Sequence, residues 1–143
     1  MKLPATLVDL PQPLYFFDGY CVLCSGFVGF CLGHDGDGRL KFASTQSALG
    51  QQVVRALGLP VSILDRTILL IEDDTVYTQS TAALRSLRHL KGWPRLLQPL
   101  LGLPAFLRDL VYDLIARNRY RWFGRRPTCF VPTPQTRDRF VDL

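Results

Sequence analysis

The feature that most constrains the fold is a short apolar run that leads directly into a helical pattern, over residues 14–32. Residues 14–17 read Leu-Tyr-Phe-Phe and end at Asp18-Gly19, which predicts a buried strand followed by a turn. Apolar residues then recur at helical spacing, at Cys24, Phe27, Val28, Cys31 and Leu32. The pattern predicts a strand–turn–helix unit with Cys21 and Cys24 at its turn.

A second strand and a second helix follow. Residues 39–44 alternate in polarity, with Leu40 and Phe42 on one face, and residues 47–60 predict a helix closed by Gly58 and Pro60. Because a crossover between strands of one sheet is almost always right-handed and joins parallel strands, we expect the first two strands to be parallel.

The middle of the chain predicts a β-hairpin and a third helix. Residues 66–80 contain two apolar runs that meet at Asp73-Asp74, a typical turn pair. Ser80 or Thr81 is then expected to cap a helix that continues through Leu90.

Length and composition favour one compact domain. The chain has 143 residues, of which 48% are apolar, enough for a sizeable core. The order of the predicted elements, a βαβ unit, a helix, a β-hairpin and a helix, fits a thioredoxin-like sheet. We therefore predict one thioredoxin-like α/β domain over residues 1–143, a three-layer sandwich with a C-terminal helical extension from about residue 92. The last helix is expected at about 105–121.

The chain shows no pattern typical of export or of a membrane span. Prolines interrupt its first thirteen residues, and three prolines and several charges interrupt the apolar region 93–115. We therefore expect a cytoplasmic protein. In that compartment a Cys-x-x-Cys pair is more often catalytic or metal-binding than a permanent disulfide.

Metal binding is not expected. A structural zinc site would need two ligands besides Cys21 and Cys24, and no second paired motif supplies them; the remaining candidates are His34, His89 and Cys129. Both histidines are better explained as surface or helix-end residues. The HDGDG segment resembles the start of a calcium loop, but Arg39 then falls at its fifth position, so we predict a turn.

Redox chemistry explains the cysteine pair better. A three-residue spacing at the first turn of a helix brings two Cα atoms to about 5–6 Å, within reach of a disulfide. Cys21 lies where the helix terminus favours a thiolate, whereas Cys24 lies one turn inside. We predict that Cys21 attacks and Cys24 resolves, that Cys31 is a core residue, and that Cys129 is half-buried or a third thiol near the pair.

Asp18 stands three residues before Cys21 and admits three roles. Its carboxylate can cap the helix, order the turn, or accept the proton of the resolving thiol. A charged Asp18 close to the pair would also raise the thiol pKa values. The sequence leaves these alternatives open.

The segment ARNRYRWFGRR, residues 116–126, has five arginines among three aromatic residues and no acidic residue. This composition suits nucleic acid or anionic lipid. The favoured interpretation is a helix end on which Tyr120, Trp122 and Phe123 pack against the core while the arginines are solvated or locally paired. Nucleic acid is the less favoured partner, and peripheral membrane contact stays open.

The motif DGYCVLC at residues 18–24 resembles the Asp-x-x-Cys-x-x-Cys signature of the DCC family of thiol-disulfide oxidoreductases. The segments FVGFCLGHD, KFASTQS, VYTQSTAALRSL and VYDLIARNRYRWFG are similar to that family's layout. The resemblance implies a thioredoxin-like protein that uses Cys21 and Cys24, with Asp18 as the third signature residue. Unlike ordinary thioredoxins, it has Val22-Leu23 between the cysteines and no proline directly before the hairpin.

The predicted function is therefore dithiol–disulfide exchange by an enzyme that uses Cys21, Cys24 and Asp18 without metal or organic cofactor. Its partners would be a disulfide or dithiol substrate, either a protein or a small thiol, and an external cytosolic reductant. The alternative is a non-catalytic binding module whose segment 116–126 recognises a protein, a lipid surface or a nucleic acid.

Overall fold

The computed structural model describes residues 2–7, 9–35, 38–128, 134 and 136–141. The strands within these residues are β1 (Leu14–Phe17), β2 (Lys41–Ser44), β3 (Leu69–Glu72) and β4 (Thr75–Thr78). The α-helices are α1 (Val22–His34), α2 (Ala48–Ala56), α3 (Gln79–Leu87), α4 (Ala105–Arg117) and α5 (Arg119–Phe123). Short 3₁₀ helices lie at Ala5–Leu7, Val61–Asp65, Trp93–Gly102 and Arg137–Arg139.

The four strands form one mixed sheet in the order β2-β1-β3-β4. β1 pairs with β2 in parallel, as the crossover rule predicts, and β3 is antiparallel to both β1 and β4. The hairpin turns at Asp73 and Asp74, both of which adopt a positive φ, of 52° and 57°. Two left-handed residues match the twist of a tight hairpin, so this predicted turn is confirmed.

Helices cover both faces of the sheet, because its central strands are apolar on both sides. Leu14 and Phe16 of β1 belong to the core cluster that includes Val53 and Val54 of α2. The alternate residues of β1 join a second cluster, with the α1 residues Val28 and Cys31 and with α3. The α/β sandwich of three layers and the core position of Cys31 are thus confirmed.

The predicted start and end of α3 are wrong. The helix begins at Gln79, its N-cap is Thr78 without a side-chain hydrogen bond, and it ends at Leu87 rather than Leu90. The Ser80 hydroxyl instead donates to Asp109 Oδ1 at 2.5 Å, on α4. Ser80, one of the two residues expected to cap the helix, therefore makes a tertiary contact that the local sequence does not encode.

The single helix predicted at 105–121 is divided at Asn118 into α4 and α5. Asn118 has φ −107° and ψ 6°, outside helical values, and its side-chain amide donates to the carbonyl of Leu114 at 2.7 Å. The aromatic residues after the break do not anchor it to the core as predicted, since Trp122 and Phe123 are exposed. No described helix has the length and apolar character that crossing a bilayer requires.

Candidate active site

The turn between β1 and α1 holds the cysteine pair at the start of a helix. Cys21 is the N-cap residue of α1, with extended backbone (φ −84°, ψ 125°). Its Sγ accepts a hydrogen bond from the Cys24 N–H at 3.4 Å, and its carbonyl accepts from the Ser25 N–H at 2.9 Å. The sulfur of Cys21 therefore does what a capping oxygen does elsewhere, which places it at the positive end of the helix.

The two thiols of the pair differ in acidity. The hydrogen bond from the Cys24 thiol, the N–H groups of Cys24 and Leu23, and the charge of Arg119 outweigh burial and lower the pKa of Cys21 to about 6. The same thiol–thiol bond, together with burial, raises the pKa of Cys24 far above its ordinary value. Burial, together with the nearby charge of Asp35, raises the pKa of Cys31 to about 12, so Cys21 is the thiol most easily ionised among these three.

Cys21 is nevertheless fully buried, whereas Cys24 is half-buried. The chain returns past the turn after α5, where Arg125 forms an antiparallel bridge with Cys21. The Arg126 N–H donates to the Tyr20 carbonyl at 2.7 Å, and the Val22 N–H donates to the Gly124 carbonyl at 3.3 Å. We call residues 124–126 the cover segment, which the sequence did not reveal.

Asp18 lies at the end of β1, buried, with four hydrogen-bond donors around its carboxylate. Oδ1 accepts from the Tyr20 N–H at 2.9 Å and from Gln46 Nε2 at 2.8 Å. Oδ2 accepts from Arg119 Nη2 at 3.3 Å and from the Tyr120 hydroxyl. Asp18 therefore orders the turn, one of its three predicted roles, while capping belongs to Cys21.

The surroundings of Asp18 keep it ionised. Burial would raise the pKa of Asp18, but the hydrogen bonds of Tyr120, Tyr20 and Gln46 and the charge of Arg119 together lower it. Burial and the bond to Asp18 raise the pKa of Tyr120 to about 12. After the stronger effects of Cys21 and burial, the carboxylate also contributes to the raised pKa of Cys24, as the sequence argument expected of a nearby charge.

A cavity of about 190 Å³ opens beside Cys24. Its walls are almost entirely apolar and include Phe27, Ile68 and Tyr112, with Asp18 and Arg119 also lining it. Tyr112 closes the wall on the α4 side, where its hydroxyl accepts the Ile68 N–H at 3.1 Å. The half-buried thiol of the pair thus lies against an apolar cavity that holds an ionised carboxylate and a guanidinium.

Sequence reasoning missed the partners of Asp18. Gln46 follows β2, and its amide also accepts from the Gly19 N–H at 3.1 Å. Arg119 and Tyr120 come from α5, and the Arg119 guanidinium further donates to the Asp65 carbonyl at 2.6 Å. The available signal was that KFASTQS and NRYRWFG belonged to the same family layout as DGYCVLC. Nothing local to those segments indicates that they meet.

Two sequence predictions cannot be compared with the site. Cys129 lies outside the described residues, and so does the centre of the HDGDG turn. Among the residues that are described, no three potential metal ligands come together.

Comparison with known proteins identifies the family. Residues 15–125 match the DCC1-like thiol-disulfide oxidoreductase family. The chain belongs to this family. The resemblance inferred from DGYCVLC is therefore confirmed, and the match extends from β1 to the cover segment.

Two relatives are similar to this chain over most of its length. The uncharacterized protein YuxK of Bacillus subtilis is 43% identical over 136 residues, covering 95% of this chain and 98% of the relative. A chloroplastic DCC family protein of Arabidopsis thaliana is 34% identical over 119 residues, covering 82% of this chain and 69% of the relative. No solved structure matches significantly. The family supports a thiol-disulfide redox role in general terms.

Proposed function

We propose that the chain catalyses dithiol–disulfide exchange, with Cys21 as the attacking thiol and Cys24 as the resolving thiol. The observation that carries the proposal is the asymmetry of the pair at the start of α1. The Cys21 sulfur accepts the Cys24 N–H at 3.4 Å and has its pKa lowered to about 6, while the pKa of Cys24 is raised. A nucleophile that is ionised at neutral pH beside a protonated partner is the arrangement that exchange requires.

The reaction proceeds in two displacements. The Cys21 thiolate attacks one sulfur of a substrate disulfide, which forms a mixed disulfide and releases the first substrate sulfur as a thiolate. Formation of the mixed disulfide removes the hydrogen bond to the Cys21 thiolate and its negative charge, both of which raise the pKa of Cys24. Cys24 attacks the Cys21 sulfur, the bond from Cys21 to the second substrate sulfur breaks, and the proton lost by Cys24 ends on that leaving sulfur as a thiol. The substrate gains two electrons, and an external dithiol reduces the Cys21–Cys24 disulfide.

Asp18 serves this reaction as a positioning residue. Its carboxylate holds the turn through the Tyr20 N–H and holds Arg119, whose charge favours the Cys21 thiolate. Its low pKa and its four donors make it a weak proton acceptor, because a proton would displace one of those bonds. The apolar cavity beside Cys24 offers room for an apolar group next to the substrate sulfur.

The experiment that tests this function is equilibration across glutathione redox buffers, followed by alkylation and peptide mass spectrometry. We expect one two-electron transition confined to Cys21 and Cys24, and Cys24→Ser should trap a mixed disulfide on Cys21. Cys31→Ser is the matched control, because Cys31 is buried in the core and should not take part. Absence of a Cys21–Cys24 disulfide at every potential would overturn the proposal.

A titration tests the asymmetry itself. Ultraviolet thiolate absorbance of the reduced protein should show one thiol ionising near pH 6, the pKa of Cys21. Cys24→Ala removes the thiol that donates to Cys21, so this pKa should rise. Cys24→Ser keeps a hydroxyl donor and should raise it less. An unchanged pKa in Cys24→Ala would show that the pair is not coupled as proposed.

A further inference from the structure

We propose that the outer face of residues 93–126 docks on an anionic lipid bilayer. Large apolar side chains are concentrated there on the outside of the molecule. Leu96 is 76% exposed, Phe106 72% and Leu110 65%, and Val111, Trp122 and Phe123 are also exposed. Several large exposed apolar side chains within one segment are typical of an interaction surface.

The two acidic residues of helix α4 are half-buried and hydrogen-bonded to α3. Asp109 accepts the Ser80 hydroxyl, and Asp113 Oδ1 accepts Gln79 Nε2 at 2.8 Å, both from α3. Phe106, Leu110 and Leu114, spaced four residues apart, are exposed along the same helix. A helix of a protein surrounded only by water normally has the reverse arrangement. Helix α4 therefore exposes an apolar stripe, and the two acidic residues beside that stripe are hydrogen-bonded to α3.

The charges exposed around this stripe are all positive. Over residues 91–126, the exposed charged side chains are Lys91, Arg95, Arg117, Arg121 and Arg125. The two acidic residues of the same region are hydrogen-bonded to α3. A second copy of the chain on this face would bring like charges together, which disfavours self-association. The complementary partner is anionic.

A bilayer suits the face better than an acidic protein because cationic and apolar side chains alternate along it. Trp122 and Phe123 lie between Arg121 and Arg125. Aromatic rings beside arginines are typical of helices that lie in the headgroup region, where the rings enter the apolar boundary and the guanidinium groups reach the phosphates. Helix α5 also supplies Arg119 and Tyr120 to Asp18. Docking would therefore bring the cysteine pair close to the membrane surface.

Sedimentation of the full chain with lipid vesicles tests this proposal. We expect binding to phosphatidylcholine vesicles that contain phosphatidylserine, weakening with added salt, and little binding to phosphatidylcholine alone. The variant with Phe106→Ser and Leu110→Ser should partition about tenfold less. Its control is Val61→Ser, which also removes an exposed apolar side chain but outside the face. Circular dichroism of each variant verifies folding.

A charge substitution separates the electrostatic contribution. Arg121→Glu should weaken vesicle binding, whereas Arg55→Glu, on exposed α2 surface, should not. The double variant Cys21→Ser and Cys24→Ser should sediment like the parent, so failure of the redox function would not affect this result. No binding to anionic vesicles, or equal binding by the apolar variant, would overturn the proposal. So would dimerisation abolished by that variant, or binding to polyglutamate in place of vesicles.

Discussion

Two buried carboxylates of the sheet, Asp18 and Glu72, look alike but are held in different ways. Asp18 follows β1 and Glu72 ends β3, and because these strands are antiparallel the two residues lie toward opposite ends of the sheet. The partners of Glu72 are Arg85, Arg88 and His89, only 13 to 17 residues further along the chain. The charged partner of Asp18, Arg119, is 101 residues away.

The hydrogen bonds of Glu72 are local contacts, whereas those of Asp18 bring together the distant segments of the candidate active site. The bonds of Glu72 join the hairpin to the helix that follows it, so they stabilise one neighbourhood of the chain. The bonds of Asp18 join the β1–α1 turn to Gln46 after β2 and to α5, beside the cysteine pair. Similar chemistry therefore serves stability at one end of the sheet and organises the candidate active site at the other.

The largest expected effect comes from neutralising each carboxylate. Asp18→Asn and Glu72→Gln should each lower the free energy of unfolding by about 3 kcal/mol, because each leaves a partly buried arginine without its counter-charge. Urea unfolding measures both. Only Asp18→Asn should change the release of a chromogenic thiol from a Cys21 mixed disulfide. Release should become faster, because the carboxylate raises the pKa of Cys24.

Two results would break this comparison. Slower release in Asp18→Asn would identify Asp18 as the proton acceptor that the sequence left open. An equal change in Glu72→Gln would show that the thiols respond to stability and not to the nearby charge.

The arginine partners of the two carboxylates differ in exposure, so their removal should have different effects. The side chain of Arg119 is 12% exposed and that of Arg88 is 46% exposed. Arg119→Met should cost about 2 kcal/mol of unfolding free energy and raise the pKa of Cys21. Arg88→Met should cost less than about 1 kcal/mol, since exposed ion pairs contribute little. Denaturation measures the loss of unfolding free energy, and thiolate titration measures the pKa of Cys21. Equal losses of unfolding free energy in the two variants would contradict the expectation that the more buried arginine contributes more.

The cover segment offers a smaller, more specific test. Gly124 has φ 96°, a conformation that side chains other than glycine rarely adopt. Gly124→Ala should cost about 1 kcal/mol and loosen the segment, so that Cys21 is alkylated faster. Gly92→Ala is the matched control, with φ 86° and open space around it but no contact with the pair. Similar alkylation rates in both variants would show that the segment does not restrict access.

Acid should produce the smallest and least specific effect. The folded-state pKa values of Asp18 and Glu72 are both lowered by their hydrogen bonds and nearby cations, in spite of burial. The stabilisation from each carboxylate is present above the unfolded-state value, about pH 4, and is lost as pH falls through the folded value. Unfolding measured below that pH should show a shallower acid dependence in Asp18→Asn and in Glu72→Gln than in the parent.

The comparison also explains what the sequence could predict. Strand β1, helix α1 and the hairpin follow from periodicity and turn residues within a few positions, so they were predicted together with the location of Cys21 and Cys24. The parallel pairing of β1 and β2 followed from the handedness of the crossover. Each of these predictions rests on residues close together in the chain.

The remainder depends on contacts between distant segments. Ser80 or Thr81 was expected to cap α3, but the Ser80 hydroxyl bonds to Asp109. Trp122 was expected to pack against the core but is exposed. Neither Arg119 nor Tyr120 carries a local sign that it reaches Asp18. Periodicity shows which residues share a face of a helix, and it contains no information about which distant loop that face meets.

The burial of Cys21 has a consequence for how the thiol is protected. A thiol with a pKa near 6 is mostly ionised in neutral water, and a freely exposed thiolate reacts with peroxides and small electrophiles as readily as with a substrate. Because Cys21 has no exposed surface, we expect its reactivity to depend on how often residues 124–126 separate from the turn. A partner that binds those residues as they open would reach the sulfur before small oxidants do. The reactant would then be selected by how fast it reaches the sulfur while the segment is open, and not by the reduction potential of the pair.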